Sequence, residues 1–149
     1  MNVLIDTNVV LDDILDRFPN SENARKISGL VTDEHVSGYL TANCITDIFY
    51  IVHKYRDDTT ARMTIKNLLL SFNVLSVDAQ DCQKAIDTPM RDFKDALAVV
   101  CAEKESLDYI VTNDKNFLSQ TDLGVPAISP ADFLMQFQAN NTHLPVFPE

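Results

Sequence analysis

Glycine is scarce in this chain, with Gly29, Gly38 and Gly124 the only three among 149 residues. No glycine-rich loop therefore exists to cradle a nucleotide phosphate on backbone N–H groups. The three histidines, His35, His53 and His143, are scattered, which argues against a zinc centre or a serine-type triad. The cysteines, Cys44, Cys82 and Cys101, are odd in number and lack Cys-x-x-Cys spacing, so they read as reduced, mostly buried thiols of a cytosolic (cytoplasmic) protein. No basic segment followed by a long apolar stretch opens the chain, and Asp6 interrupts the first apolar run; neither a signal peptide nor a membrane span is expected. Positive charge is also in deficit, with 12 bases against 22 acids and a net charge of -10. That balance disfavours broad binding of nucleic acid through phosphate neutralisation. It leaves room for acids gathered around metal ions, whose charge would invert the local field. Lys54, Arg56, Arg62 and Lys66 fall within thirteen residues and form either a basic patch for RNA or solvated helix faces.

What is present is a repeated pairing of strand and aspartate. Val3-Leu4-Ile5 is an unbroken apolar run ending in Asp6-Thr7-Asn8, and Tyr109-Ile110-Val111 runs into Thr112-Asn113-Asp114. Runs of this kind suit strands buried on both faces of a parallel sheet. Ligand crevices in open α/β sheets lie beyond the carboxyl ends of such strands, where Asp6 and Asp114 fall. Helices are expected over Val9 to Leu15, Ser21 to Val31, Thr41 or Asn43 to Tyr55, Asp57 or Asp58 onward, Ala79 to Ile86, Phe93 to Glu105 and Pro130 to Phe137. Between them, strands are expected at His35 to Leu40, Asn73 to Val77 and Ala127-Ile128, and a short turn at Lys115 to Leu118. Alternation of this kind defines an α/β fold with helices on both faces of a mostly parallel sheet. A chain of this length forms one domain burying roughly 70% of its unfolded surface. The domain is expected over 1–137, with 138–149 a loose tail.

Carboxylates are the remaining source of chemistry. On the helix from Phe93, the positions Phe93, Ala96, Leu97, Val100 and Cys101 form one apolar face. Asp95 points elsewhere, yet its own side continues as Ala98, Val99 and Ala102. A partly buried carboxylate there needs a cation, a hydrogen-bond cage or a proton. The structural alternative makes Asp92 the helix N-cap and Asp95 the acid of the first turn, and the two readings are compatible. Asn43, Asp47, Tyr50 and Lys54 form a polar stripe that lines a cleft or faces water. Asp6 also fits a helix cap and Asp114 an Asx-type turn; Asp12, Asp13 and Asp16 read as solvated surface charge. If Asp6, Asp47, Asp95 and Asp114 converge, each pair about 5 Å apart repels by roughly 3 kcal/mol at an effective dielectric near 20. Mg²⁺ or Mn²⁺, which favour carboxylate and water ligands, would turn that repulsion into binding and support phosphoryl chemistry.

Four stretches carry a resemblance: VLIDTNVV at the start, Thr46-Asp47-Ile48, DFKDALAVVCAE from Asp92 to Glu103, and YIVTNDKNF from Tyr109 to Phe117. In order and spacing the chain resembles the PIN-domain ribonucleases, which include the toxins of bacterial toxin-antitoxin pairs. The resemblance implies a three-layer α/β/α sandwich around a sheet of about five strands, and divalent-metal hydrolysis of RNA phosphodiesters. It makes Asp6, Asp95 and Asp114 metal ligands, Asp92 an auxiliary ligand, and Thr7, Asn8 and Asn113 groups that orient them. Asp47 falls where the family most often has Glu, and its shorter arm suggests action through a bound water. A homodimer and an inhibitory antitoxin over the groove are further implications.

Two other readings stand beside this one. A haloacid-dehalogenase-type phosphatase also opens with a strand ending in Asp, but it expects an acid two residues later, where this chain has Asn8. The alternative from another class is a catalytically weak PIN-like module that binds RNA or a protein partner.

Overall fold

The computed structural model describes residues 1–142. Five parallel strands lie in the order β3-β2-β1-β4-β5, where β1 is Asn2–Ile5, β2 Ser37–Thr41, β3 Asn73–Leu75, β4 Tyr109–Val111 and β5 Ala127–Ile128. Eight helices connect them among the described residues: α1 Thr7–Ile14, α2 Ser21–Thr32, α3 Ala42–Tyr55, α4 Asp58–Ser71, α5 Ala79–Asp87, α6 Phe93–Lys104, α7 Lys115–Leu118 and α8 Pro130–Asn140. The chain leaves β1 in one direction to build β2 and β3, then returns through α5 and α6 to add β4 on the other side of β1. The order therefore reverses between β1 and β4, which is where a parallel sheet opens a crevice.

Alternation along β1 divides the core into layers. Val3 and Ile5 point into a cluster with Leu11, Ile27, Ile48, Val52, Leu68 and Phe133, drawn from α1, α2, α3, α4 and α8. Leu4 points the opposite way, to Val99, Cys101, Ile110 and Phe117, and α5 packs on α6 through Ala85, Ala96 and Leu97. This is the expected three-layer α/β/α sandwich. All three cysteines are free thiols, with Cys44 and Cys101 buried. No described helix is long and apolar enough to cross a membrane.

Differences from the sequence reading have local causes. The first helix starts at Thr7 rather than Val9, because the Val9 and Val10 N–H groups donate to the Asp6 carbonyl at 3.0 and 3.3 Å. His35 and Val36 lie outside β2, since their N–H groups close the end of α2 on the Leu30 carbonyl. β3 stops at Leu75, short of Val77, and α6 leaves Phe93 43% exposed at its first position instead of on the buried face. Asp12 is buried rather than solvated, held by Arg17 Nε at 2.8 Å and Asn113 Nδ2 at 3.2 Å. Helix α8 runs to Asn140, three residues into the stretch expected to be loose. The rest of that stretch, 143–149 with His143, lies outside the described residues.

Candidate metal centre at the sheet switch point

The end of β1 is fastened to the end of β4 by the Asp6 N–H, which donates to the Val111 carbonyl at 2.9 Å. Asp6 occupies the N-cap position of α1, yet its side chain makes no cap bond. Its Oδ2 instead accepts from the Thr112 hydroxyl at 2.8 Å, and the same hydroxyl oxygen accepts from the Asp114 N–H at 3.0 Å. One buried hydroxyl thus sets the positions of both strand-end acids. Asp114 caps α7, accepting from the Asn116 and Phe117 N–H groups through Oδ1. Asp92 caps α6 by accepting the Asp95 N–H at 3.0 Å, which places Asp95 in the first turn facing the strand ends.

The electrostatics show that these acids share one environment. Burial pushes the Asp95 carboxyl up to about 7, and the negative charges of Asp92, Asp6 and Asp114 add to the rise while Lys94 opposes it. Asp6 is also raised: burial outweighs the Thr112 hydrogen bond and the Lys94 charge, with Asp114 contributing further. Asp92, Asp95 and Asp114 line an open groove of about 430 Å³ with Met90, Arg91, Asn116, Ser119 and Gln120. A small cavity of about 10 Å³, lined in part by Asp6, Asn43, Lys94 and Asp95, meets that groove at Asp95.

Asp47 reaches this group only through a cation. Its Oδ2 lies 2.8 Å from Lys94 Nζ, with both side chains about two-fifths exposed. The groups expected to orient the ligands divide. Thr7 is buried beside Asp6 in the chain, and its Oγ1 has no hydrogen-bond partner among the described residues. Asn8 and Asn113 are committed elsewhere, Asn8 accepting from Arg17 Nη2 and Asn113 donating to Asp12. Thr112 supplies the orienting contacts instead. Its sequence signal was a hydroxyl residue directly after a buried apolar strand, a position where an unbonded polar group is costly. Lys94 gave no such signal, because a lysine in a helix first turn ordinarily faces water. Of the four bases in the candidate patch, all are exposed; Arg62 pairs with Asp58 at 2.8 Å, and none lines the groove or the small cavity.

The donor set suits a hard divalent ion. Carboxylate oxygens converge from three elements, and Asn43 Oδ1, on the wall of the small cavity, is buried with no hydrogen-bond partner among the described residues. Among those residues no three His, Cys, Asp or Glu side chains are placed as they stand to hold a metal ion together. The reason is visible in the hydrogen bonds: Asp92 and Asp114 are turned onto backbone N–H groups and Asp47 onto Lys94. To hold an ion here these side chains would have to rotate.

A doubly wound parallel sheet with an acidic crevice at its switch point defines an α/β protein whose site lies at the carboxyl edge of β1 and β4. The family follows from comparison: the PIN domain model matches residues 2–116, and the chain belongs to that family. Ribonuclease VapC1 of Aquifex aeolicus (strain VF5) is 26% identical over 122 residues, covering 78% of this chain and 84% of the relative. Among solved structures, the sarcin-ricin loop cleaving toxin VapC20 of Mycobacterium tuberculosis superposes with a TM-score of 0.65 at 14% identity, over 83% of this chain and 98% of that one. VapBC2 of Rickettsia felis, bound to a promoter DNA fragment, gives 0.64 at 14% identity over 87% and 98%. At these identities the structures establish the shared fold.

Proposed function

We propose that this protein is a divalent-metal-dependent endoribonuclease and the toxin of a toxin-antitoxin pair. The observation that carries the reading is the grouping of Asp6, Asp95 and Asp114 at the switch point, with Asp95 and Asp114 lining an open groove and Asp6 lining the small cavity that meets it. The VapC1 ribonuclease relative supports the choice of RNA, and a structural neighbour solved as a toxin-antitoxin complex from Klebsiella pneumoniae supports an antitoxin partner.

In this reading Asp6, Asp95 and Asp114 hold Mg²⁺ or Mn²⁺, with Asp92 as an auxiliary ligand. An ion held by these carboxylates would supply Lewis-acid activation of a water and charge stabilisation at the phosphate. Thr112 fixes Asp6 and, through the backbone, Asp114. RNA lies along the groove, where Arg91 offers a guanidinium to phosphate and Asn116, Ser119 and Gln120 offer hydrogen bonds to ribose or base. Exposed apolar side chains on α3 and α4, among them Tyr50, Met63 and the 86% exposed Leu70, suit a protein partner, whether an antitoxin or a second copy in a homodimer.

The test pairs a substrate-free measurement with a cleavage measurement. Added Mn²⁺ or Mg²⁺ raises the melting temperature of wild type and not of Asp6→Asn or Asp95→Asn, because an ion that binds only the folded state stabilises it by mass action. End-mapping of total cellular RNA then shows cuts that depend on Asp95. A flat melting response with no Asp95-dependent cuts would leave the second reading, a PIN-like module that binds RNA or protein. That reading is favoured by one observation, the engagement of Asp47 by Lys94.

A further inference from the structure

Among the described residues, Lys94 is the one basic side chain on the wall of the small cavity that Asp6, Asn43 and Asp95 also line. It is fixed there by the 2.8 Å contact from its Nζ to Asp47 Oδ2, which joins the first turn of α6 to the middle of α3. Its charge acts on both Asp6 and Asp95. An ammonium group carries three donors; one is spent on Asp47, leaving two for other acceptors at the centre.

A fixed cation in that position has two consequences. It partly neutralises the carboxylates, the task a second metal ion performs in two-metal sites. It also repels any further ion: at an effective dielectric of about 20 and a separation of about 6 Å, one positive charge weakens binding of a divalent cation by more than about hundredfold. Asp47, whose Oδ2 is already engaged by the ammonium, is drawn away from coordination for the same reason.

We propose that Lys94 is the built-in second cation of this site: it keeps Asp47 out of the ligand set and restricts Asp6, Asp95 and Asp114 to a single divalent ion. The proposal rests on the metal-dependent reading above. It makes this a one-ion centre in which a lysine supplies the second positive charge.

The test counts bound ions without RNA. Full-length protein is titrated with Mn²⁺ and free Mn²⁺ is followed by electron paramagnetic resonance, for wild type, Lys94→Arg, Lys94→Met and the double variant Lys94→Met/Asp47→Asn. Wild type and Lys94→Arg bind one ion per chain. Lys94→Met binds two, or binds one more than about hundredfold tighter, and the gain disappears in the double variant because Asp47 is the ligand released. Two ions on wild type, or a Lys94→Met variant with unchanged stoichiometry and affinity, would overturn the proposal while leaving a metalloenzyme. No bound Mn²⁺ on any of the four proteins would remove the metal-dependent reading itself, and the role of Lys94 with it.

Discussion

Asp81 and Asp95 occupy the same local motif and have opposite fates. Each follows an aspartate N-cap by three residues, in Asp78-Ala79-Gln80-Asp81 at the start of α5 and Asp92-Phe93-Lys94-Asp95 at the start of α6. In both, the cap carboxylate accepts the N–H of the later aspartate, at 2.9 and 3.0 Å. Asp81 then completes a capping box by accepting the Asp78 N–H, and takes a 2.7 Å ion pair from Lys104. The Lys104 hydrogen bond, followed by the backbone bond at Asp78, holds its carboxyl below the ordinary range. Asp95 closes no box; it faces three other acids, and its pKa is driven upward. Asp81 is 3% exposed and still satisfied, whereas Asp95 is less buried and strained. Exposure therefore does not separate an acid paired with a base from one set among other acids. The sign of the neighbouring charge does.

The largest effect expected from this contrast is chemical. Asp95→Asn lowers the rate of RNA cleavage by about 100-fold or more, while raising the melting temperature of metal-free protein by removing a repelled charge; a destabilised Asp95→Asn would break the comparison. Next, Thr112→Val removes the hydroxyl that fixes Asp6 and meets the Asp114 N–H, and weakens Mn²⁺ binding by about 10- to 100-fold in a titration. On the structural side, Asp81→Ala leaves Lys104 without its partner and opens the box. That change costs about 2 kcal/mol by urea denaturation and leaves the Mn²⁺ affinity of the folded protein unchanged.

Subtler, and the sharpest test of sign, is the dependence of stability on pH. Asp95 binds its proton more tightly in the folded chain than the ordinary 3.8 allows, so its contribution favours the fold at low pH and is lost as pH rises from about 4 towards 7. Asp81 behaves oppositely: its contribution is present above the unfolded value of 3.8 and is lost as pH falls through the lower folded value. Melting curves of metal-free wild type between pH 5 and 8 should fall relative to Asp95→Asn, and the gap should close when Mn²⁺ is added. Curves for wild type and Asp81→Asn should converge instead at the acid end.

Much of this contrast could not be read along the chain. The strand-end aspartates were legible because Asp6 and Asp114 each interrupt an apolar run that only a doubly buried strand explains. Asp95 was legible because its helix is apolar on nearly every side. Thr112 carried a signal in its position after a buried strand but not its partner, and Lys94 and Asp12 carried none, since each acquires its role from a residue distant in sequence: Thr112 from Asp6, Lys94 from Asp47, and Asp12 from Asn113. Asp12 in particular read as surface charge, because no local pattern reveals that Arg17 and Asn113 close over it.

The sequence by itself determined the parallel α/β layers and the placing of two aspartates at strand ends, because period, apolar runs and caps are properties of neighbours a few residues apart. Only the tertiary structure decided which acids lie among acids and which lie beside a base. Coulomb interactions depend on distance in space, and the return of the chain from β3 to β4 sets Asp6 and Asp114 against Asp95 while placing Lys104 on Asp81 and Lys94 on Asp47.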